Sequence, residues 1–510
     1  MSLLVVDIGS SSCKAIVFTS TGQVLAQASA EYSPEFPRPS FAEMHPQKFC
    51  NAVRSCCHNA AKNLRDPVQA LCVSSHGETF VAIDSAGQPI TQAILNQDNR
   101  AVFESAWCER TIGRDRLFQI TGLSCHPMYP IPKILWLRKN QPRVFASTKC
   151  FTSLIGYLLH SMQLPPYVDY SLASRYLAFD VRRRTWSDEI LAATELDPAI
   201  LPSPVPAGTV AGKLNSDIAS QFGIPAGTPI VLGGHDQPCG ALGTGVIEPG
   251  RITDSMGTYE CLLAASDAPL LSEKALKASL NSYCHVVPDK FITLAYFPSG
   301  IMVKWFHDLL YVNAGPRNSS EPTGPDPECE YALLEAHMPE GPTGLCITPH
   351  LIGTCTPEFN PRVRAVIGGL GPGTKRAHLY KGILEGVACE LSIVAEALAD
   401  AVGDFRDIYA TGGGTRSAGG LELRAALTGR RLHIMRSQEA VCLGTAILAG
   451  VATGEYSDIQ EGITALVDER TTLFPNMQLA AAYREQMKRY RQLRSAAVQQ
   501  ASWQACEEEN

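Results

Sequence analysis

No apolar run in the chain approaches the roughly 18 residues that a helix needs to cross a bilayer, and the N-terminal apolar stretch stops at Asp7, too short for a secretory core. Positive charge is in deficit: 43 Lys and Arg stand against 50 Asp and Glu, a net charge of −7. That balance excludes a general nucleic-acid or anionic-membrane surface, so any bound phosphate must be held locally. Charged residues make up only 18% of the 510 and hydrophobic ones 45%, which excludes extended disorder and leaves core material for two large domains. The 17 cysteines, among them Cys13, Cys50, Cys56, Cys57 and Cys72, form no pair of C-x-x-C units, which argues against a zinc site. Their odd number and the lack of a signal peptide predict reduced thiols in a cytoplasmic protein.

What is present begins at the N-terminus. Leu3-Leu4-Val5-Val6 reads as a buried strand and Asp7 as a carboxylate leaving its end towards solvent or metal. Gly9-Ser10-Ser11-Ser12 is then a small-residue turn, and Cys13 to Phe18 a returning strand. Such a hairpin offers backbone N–H groups and hydroxyls to a phosphate, although an ordinary hairpin with a polar turn reads the same way. A second hairpin pattern, Arg251 to Leu263 with Gly257-Thr258 at its turn, lies about 250 residues downstream and predicts a duplicated architecture facing one cleft.

Between the hairpins, a helix is expected from about Pro46 to Asn63, and a strand at Leu71 to Ser74 ends in Ser75-His76-Gly77-Glu78-Thr79. Asn96-Gln97-Asp98-Asn99-Arg100 occupies another strand end, and strand ends are where an α/β protein builds a site. Residues 101 to 225 are mostly helical in pattern, after which the strand Pro229 to Leu232 meets Gly233-Gly234 and then His235-Asp236-Gln237. A domain boundary is expected near Val246 to Arg251, and the Gly- and Pro-rich stretch Gly315 to Pro327 reads as an exposed loop. Leu379, Ile383, Val387, Leu391, Val394 and Leu398 recur at helical spacing. Further on, Gly412-Gly413-Gly414 opens into a helix from about Ser417 to Leu427; it is either a mobile connector or a place where a base or phosphate approaches backbone and a helix N-terminus. Met477 to Gln504 reads as a solvated helix without chemistry.

These motifs join two longer ones: Met128-Tyr129-Pro130-Ile131-Pro132-Lys133-Ile134-Leu135-Trp136-Leu137-Arg138-Lys139-Asn140, and Ala365 to Leu370 continuing through His378-Leu379-Tyr380-Lys381-Gly382-Ile383-Leu384-Glu385. Over nearly the whole chain the set resembles the FGGY family of carbohydrate kinases; Gly382 departs from the usual Ala or Ser. The resemblance implies an α/β fold of two ribonuclease-H-like domains, as in the actin, hexokinase and Hsp70 superfamily, flanking a central cleft. Residues 1–247 would bind sugar, 248–490 would bind ATP, and 491–510 would form a helical tail. The implied reaction moves the γ-phosphoryl group of ATP, with Mg²⁺, to a sugar hydroxyl. Asp236 matches the catalytic base, expected to work near its normal pKa, and Asp7 the Mg²⁺-side carboxylate, reaching the ion through water.

By the same resemblance Ser75, His76, Gly77, Glu78, Asn96, Asp98 and Gln237 are substrate contacts. Gly9, Ser10, Ser11, Ser12, Lys14, Gly257, Thr258, Gly300, Lys304, Gly412, Gly413, Gly414 and Ser417 fall on the nucleotide. Structural roles stand beside these: a helix cap for Asp236, a buried histidine for His76, an ion pair with Arg100 for Asp98, a solvated helix lysine for Lys304. The sugar pocket is mixed. Ser75-His76-Gly77 is similar to the Met-His-Gly of xylulose kinases, Glu78 to the glycerol kinase pattern, and Asn96 replaces a common aromatic. Thr354-Cys355 and Ala426 also depart from xylulose kinases. A neutral-to-acidic polar set suits a ketopentose, D-xylulose first, then another ketose or polyol of the L-fuculose, ribulose, glycerol or erythritol type, and does not suit gluconate. A non-kinase ATPase or sugar-sensing member of the superfamily is the rival class; Asp236 and the lack of a basic helix-turn-helix segment count against it. The expected partners are a small sugar and ATP, with no nucleic acid or membrane; a homodimer is a family-level expectation.

Overall fold

The computed structural model describes residues 2–310 and 327–508; the expected loop Gly315 to Pro327 lies, except for Pro327, outside the described residues. Two mixed sheets carry the chain. The first contains β1 (Ser2–Ile8), β2 (Ser12–Thr19), β3 (Val24–Glu31), β4 (Val68–Ser75), β5 (Val210–Lys213) and β6 (Pro229–His235), in the order β5-β6-β4-β1-β2-β3. The second contains β7 (Arg251–Met256), β8 (Tyr259–Ser266), β9 (Asn281–Cys284), β10 (Phe291–Pro298), β11 (Asp407–Thr411), β12 (Arg431–Met435) and β13 (Glu469–Leu473), in the order β9-β10-β8-β7-β11-β12-β13.

The duplication predicted from the two hairpins is present in this topology. In each sheet an antiparallel triplet, β3-β2-β1 or β10-β8-β7, continues into two parallel strands, β4-β6 or β11-β12. Leu3, Leu4, Val5 and Val6 are all 0% exposed, because a central strand flanked by a parallel neighbour is covered on both faces. Four helices organise the rest: α1 (Asp236–Gly243), α2 (Arg376–Val402), α3 (Ala418–Thr428) and α4 (Ala440–Thr453).

α1 follows β6 and α4 follows β12, so they occupy equivalent places in the two repeats. They cross in backbone contact: a Cβ on Gly243 would lie 1.8 Å from the Ala440 carbonyl oxygen, and one on Gly444 1.9 Å from that of Cys239. α4 also packs Cys442, Leu443, Ala446 and Ile447 against Leu3, Val5, Ile16 and Val231 of the first sheet. A helix from the second half thus completes the core of the first. α4 can do this because it is apolar around most of its circumference.

The C-terminal segment differs from the solvated helix expected. The helix α5 (Arg484–Glu508) buries one stripe on α2, with Tyr483 just before it. The Tyr483 and Gln486 side chains donate to Glu385 at 2.7 and 2.6 Å, and the Tyr490 hydroxyl to Glu390 Oε2 at 2.6 Å. Arg494 Nε lies 3.0 and 3.1 Å from the two Glu390 oxygens, and its Nη1 2.7 Å from Glu358. Apolar spacing did not reveal this stripe because its contact groups are polar. Burial alone would push Glu390 up, but His350, Arg494 and Tyr490 outweigh it and hold the carboxyl at about 2, against an ordinary 4.5.

Glu390 therefore contributes stability that is complete above its unfolded-state pKa and is lost as pH falls towards the folded value, on the order of 3 kcal/mol. Urea unfolding between about pH 6 and 3 is expected to show a smaller acid loss in Glu390→Gln than in the wild type. Parallel pH dependences would show that Glu390 is not the group responsible.

Candidate active site

Asp236 is the first residue of α1, at the end of β6, and the strand reaches it through two glycines that have no room for side chains. A Cβ on Gly233 would lie 2.7 Å from the Val73 carbonyl oxygen, and one on Gly234, which is at φ +126°, would lie 2.7 and 2.8 Å from Ser171 Oγ and Asp169 Oδ2. Ser171 Oγ accepts from the His235 N–H at 2.8 Å and donates to Asp169 at 2.5 Å, fixing the turn from beneath. His235 Nε2 stands 3.2 Å from Asp236 Oδ1. Burial, and then the charges of Arg175 and His76, push His235 far below the ordinary range, so the imidazole is neutral.

Around Asp236 lies a ring of groups from distant segments. Arg175 Nε donates to Glu78 at 2.6 Å, and its guanidinium lies over the rings of Tyr129 and Tyr283, 5.2 and 4.8 Å from their centroids. The Tyr283 ring is in turn 5.6 Å from that of His235. Asn96 Oδ1, Arg175 Nη1, Asp236 Oδ1, Gln237 Oε1 and the Tyr283 hydroxyl are all buried without a hydrogen-bond partner. Buried polar atoms left unpaired are costly, and a constellation of them marks a place that a polar ligand satisfies. Lys133, from the first long motif, supports the arrangement by donating to the Leu95 carbonyl at 2.6 Å just before Asn96; burial pulls its ammonium down to about 7.

The carboxyl groups crowd together. Burial, then the charges of Asp7 and Glu78, push Asp236 well above the usual carboxylate range, which corrects the expectation of a near-normal pKa. Asp7 is pushed up to about 6, by burial first; the Ser74 hydroxyl, donating at 3.0 Å, offsets part of this while the Glu439 charge adds to it. Lys14, paired with Asp7 across the hairpin, reaches over to Glu439 at 2.6 Å, just before α4, so the first turn is bonded to the second half of the chain.

Several expected contacts are committed to the fold. His76 uses both ring nitrogens, 3.0 Å from the Ile8 carbonyl and 2.7 Å from Thr79 Oγ1, and is not free for a sugar hydroxyl. Both Asp98 oxygens are filled, by Arg100 and by the Ala42 N–H at 2.7 Å, so the ion-pair alternative holds. Ser75 Oγ donates to the His76 carbonyl, and Gly77 supplies close packing, its Cβ position lying 3.0 Å from His235 Nε2. Glu78, at φ 62°, meets Arg175 and not open solvent. Gln237 and Asn96 keep free polar atoms.

On the other side, the Gly9–Ser12 turn is closed by Gly9 N–H to the Ser12 carbonyl at 2.9 Å and tied down by the Tyr32 hydroxyl; Ser11 is exposed, Ser10 and Ser12 half-buried. The turn Gly257-Thr258 is exposed and abuts Gly300, whose Cβ would lie 2.3 Å from the Gly257 carbonyl oxygen. Gly412, at φ +88°, and Gly414 lie against Met256, each leaving 2.8 Å to a would-be Cβ, while Gly413 starts the short turn between them and Ser417. The α3 N-terminus is not open to phosphate as the sequence suggested: Ser417 Oγ caps Gly420 N–H at 3.1 Å and Glu335 accepts from Gly419 N–H at 2.7 Å. Lys304 has a side chain 66% exposed and paired with Asp308, the solvated-lysine arrangement.

Residues 2–243 match the N-terminal domain, and residues 253–453 the C-terminal domain, of the FGGY family of carbohydrate kinases. The chain belongs to this family. It is therefore a carbohydrate kinase, an ATP:sugar phosphotransferase with two ribonuclease-H-like domains of the actin, hexokinase and Hsp70 type. Its relatives include a gluconokinase of Bacillus subtilis, 27% identical over 95% of this chain and 94% of that one, and a xylulose kinase of the same organism, 24% identical over 96% and 95%. The crystal structure of a ligand-bound xylulose kinase from Lactobacillus acidophilus shares the fold at a TM-score of 0.86, with 21% identity and 98% of each chain covered. A gluconate kinase from the same species superimposes with a TM-score of 0.84 at 21% identity.

Sequence reasoning missed Arg175, Tyr283, His235 and Glu439. His235 was visible as the neighbour of Asp236; the others lie in segments with no local signature and reach the site only through the tertiary fold.

Because α1 carries Asp236, the glycine crossing sets its position. Gly444→Ala is expected to cost about 1–3 kcal/mol through overpacking and to lower kcat by up to about 100-fold through misplacement of Asp236. Thermal unfolding and steady-state rates measured together check this; an unchanged kcat in a destabilised variant would show that the crossing does not position the carboxylate.

Proposed function

We propose that the protein transfers the γ-phosphoryl group of ATP to a hydroxyl of a small neutral sugar, a ketopentose with D-xylulose first. The observation that carries this reading is the setting of Asp236: its carboxyl interacts with Asp7 of the first phosphate hairpin and with Cys261 on the returning strand of the second. A base in that position can serve a phosphoryl group held from both halves. In a loose transition state the attacking hydroxyl keeps its proton until late, and a carboxyl made more basic by its surroundings is well suited to take it then. Asn96, Gln237, Arg175 with Glu78, and the Tyr283 hydroxyl would orient the sugar. The turns Gly9–Ser12 and Gly257-Thr258 would hold phosphates, and Gly300 and Gly412–Gly414 would admit the rest of the nucleotide.

Mg²⁺ fits the donor set at Asp7, whose carboxyl stands half-buried among like charges that a cation would offset. The ion would supply charge neutralisation of the phosphates; Asp7, with Ser74 fixing its rotamer, would hold it through water. A limit near 247 would divide the sugar side from the nucleotide side, whereas the expected limit at 490 falls within α5, which runs on unbroken into the tail.

Gluconate is the second reading because of the gluconokinase relative. Against it, the guanidinium of Arg175 beside Asp236 is already neutralised by Glu78 at 2.6 Å, so a sugar carboxylate would meet a surplus of acids. Among the described residues no helix is long and apolar enough to cross a membrane, and the cysteines are free thiols.

ADP release over ketoses, aldoses, polyols and gluconate is expected to show one preferred neutral ketose. ATP turnover independent of every sugar would favour an ATPase. Asp236→Asn is expected to lower kcat about 10²–10⁴-fold while ADP binding persists, and loss of both would mark the residue as structural.

A further inference from the structure

Glu260 is 0% exposed, near the start of β8, the returning strand of the second hairpin. Its carboxylate is met by two segments other than its own. Arg424 of α3 donates Nε to Oε1 at 2.8 Å and Nη2 to Oε2 at 2.7 Å, and Ser299, which precedes Gly300, donates its hydroxyl to Oε2 at 2.7 Å. Arg424 and Ser299 are each 4% exposed. Three segments of the second half therefore end on one carboxylate: the hairpin bearing Gly257-Thr258, the turn before Gly300, and the helix that continues the triple-glycine loop.

We propose that Glu260 and Arg424 are positioning residues for the nucleotide, fixing the distance between the phosphate-side turn and the base-side loop. The inference rests on the kinase reading. A buried ion pair adds little stability over well-packed apolar side chains of the same volume, so stability does not account for it. A two-point guanidinium–carboxylate contact does supply fixed geometry between the elements it joins. The parts it joins have no slack. Met256 pairs with Glu260 across the hairpin and is the surface on which Gly412 and Gly414 lie, while Gly300 is pressed on the Gly257 carbonyl. A shift of α3 relative to the hairpin would change the width of the gap between turn and loop.

Asp254, 0% exposed on β7, supports the reading. Burial, then the Glu260 charge, push its carboxyl well above the ordinary range, and the Arg424 charge offsets part of this, so the guanidinium serves both acids of the hairpin.

Glu260→Gln is expected to weaken ADP binding, measured by calorimetry without sugar, and to raise KM for ATP, each by about tenfold, with KM for the sugar within about twofold of wild type. Because the single variant leaves Arg424 buried and unpaired, the double variant Glu260→Met/Arg424→Met is measured beside it. Its melting temperature is expected to recover towards wild type while its ADP affinity stays low. A stable double variant with wild-type ADP affinity would overturn the proposal, as would a sugar KM that rises as much as that for ATP. Wild-type protein that binds no ADP would overturn the kinase reading itself, before any variant is compared.

Discussion

The contact between α1 and α4 is the constraint on which the site depends. Each helix follows the last parallel strand of its repeat, and each gives up side chains where they cross. Backbone contact at Gly243 and Gly444 pulls the ends of β6 and β12 together, which brings Lys14 to Glu439, while Asp236 and Asp7 are set near one another by their own sheet. The two halves then share a core, since the apolar face of α4 covers the first sheet. A larger side chain at the crossing would satisfy packing in one half only by separating the groups that must act together.

Closeness of this kind has an electrostatic consequence. Asp236 interacts with Asp7 and Glu78, and Asp7 with Glu439, while Lys14 is engaged by Glu439 and Arg175 by Glu78. Burial then makes the charged forms of Asp7 and Asp236 unfavourable. This balance favours a nearby cation and raises the basicity of Asp236 above that of an exposed carboxylate. The shifts of both carboxyls thus have a common origin in how closely the strand ends are packed.

Features fixed by local geometry were the legible ones. Hairpins with small turns, the glycine pair before Asp236 and the triple glycine each follow from steric demands within a few residues, and the structure places them at strand ends as expected. Side chains read as ligands by their position alone were less secure. His76 and Asp98 sit at the right strand ends, but neighbouring carbonyl, hydroxyl and guanidinium groups use their hydrogen-bonding capacity. Arg175 and Tyr283 could not be read, because each takes part only when strands far apart in the chain are brought together. The α5 stripe of Tyr483, Gln486, Tyr490 and Arg494 was missed for a different reason: hydrophobic periodicity does not register a helix docked through hydrogen bonds.

Buried charge is used differently in the two halves. In the first, the Glu78–Arg175 pair leaves Arg175 Nη1 without a partner and lies beside other unsatisfied groups, as expected of a surface that exchanges hydrogen bonds with a changing ligand. In the second, Arg424 is bonded to Glu260 through two nitrogens and to the Gly420 carbonyl through the third, and Glu260 takes a further hydroxyl. A saturated pair has nothing left to offer a ligand and can only hold its own elements in place. The same two residue types therefore make a contact surface where their valences are open and a spacer where they are closed, a distinction that depends on the third and fourth partners and not on the pair.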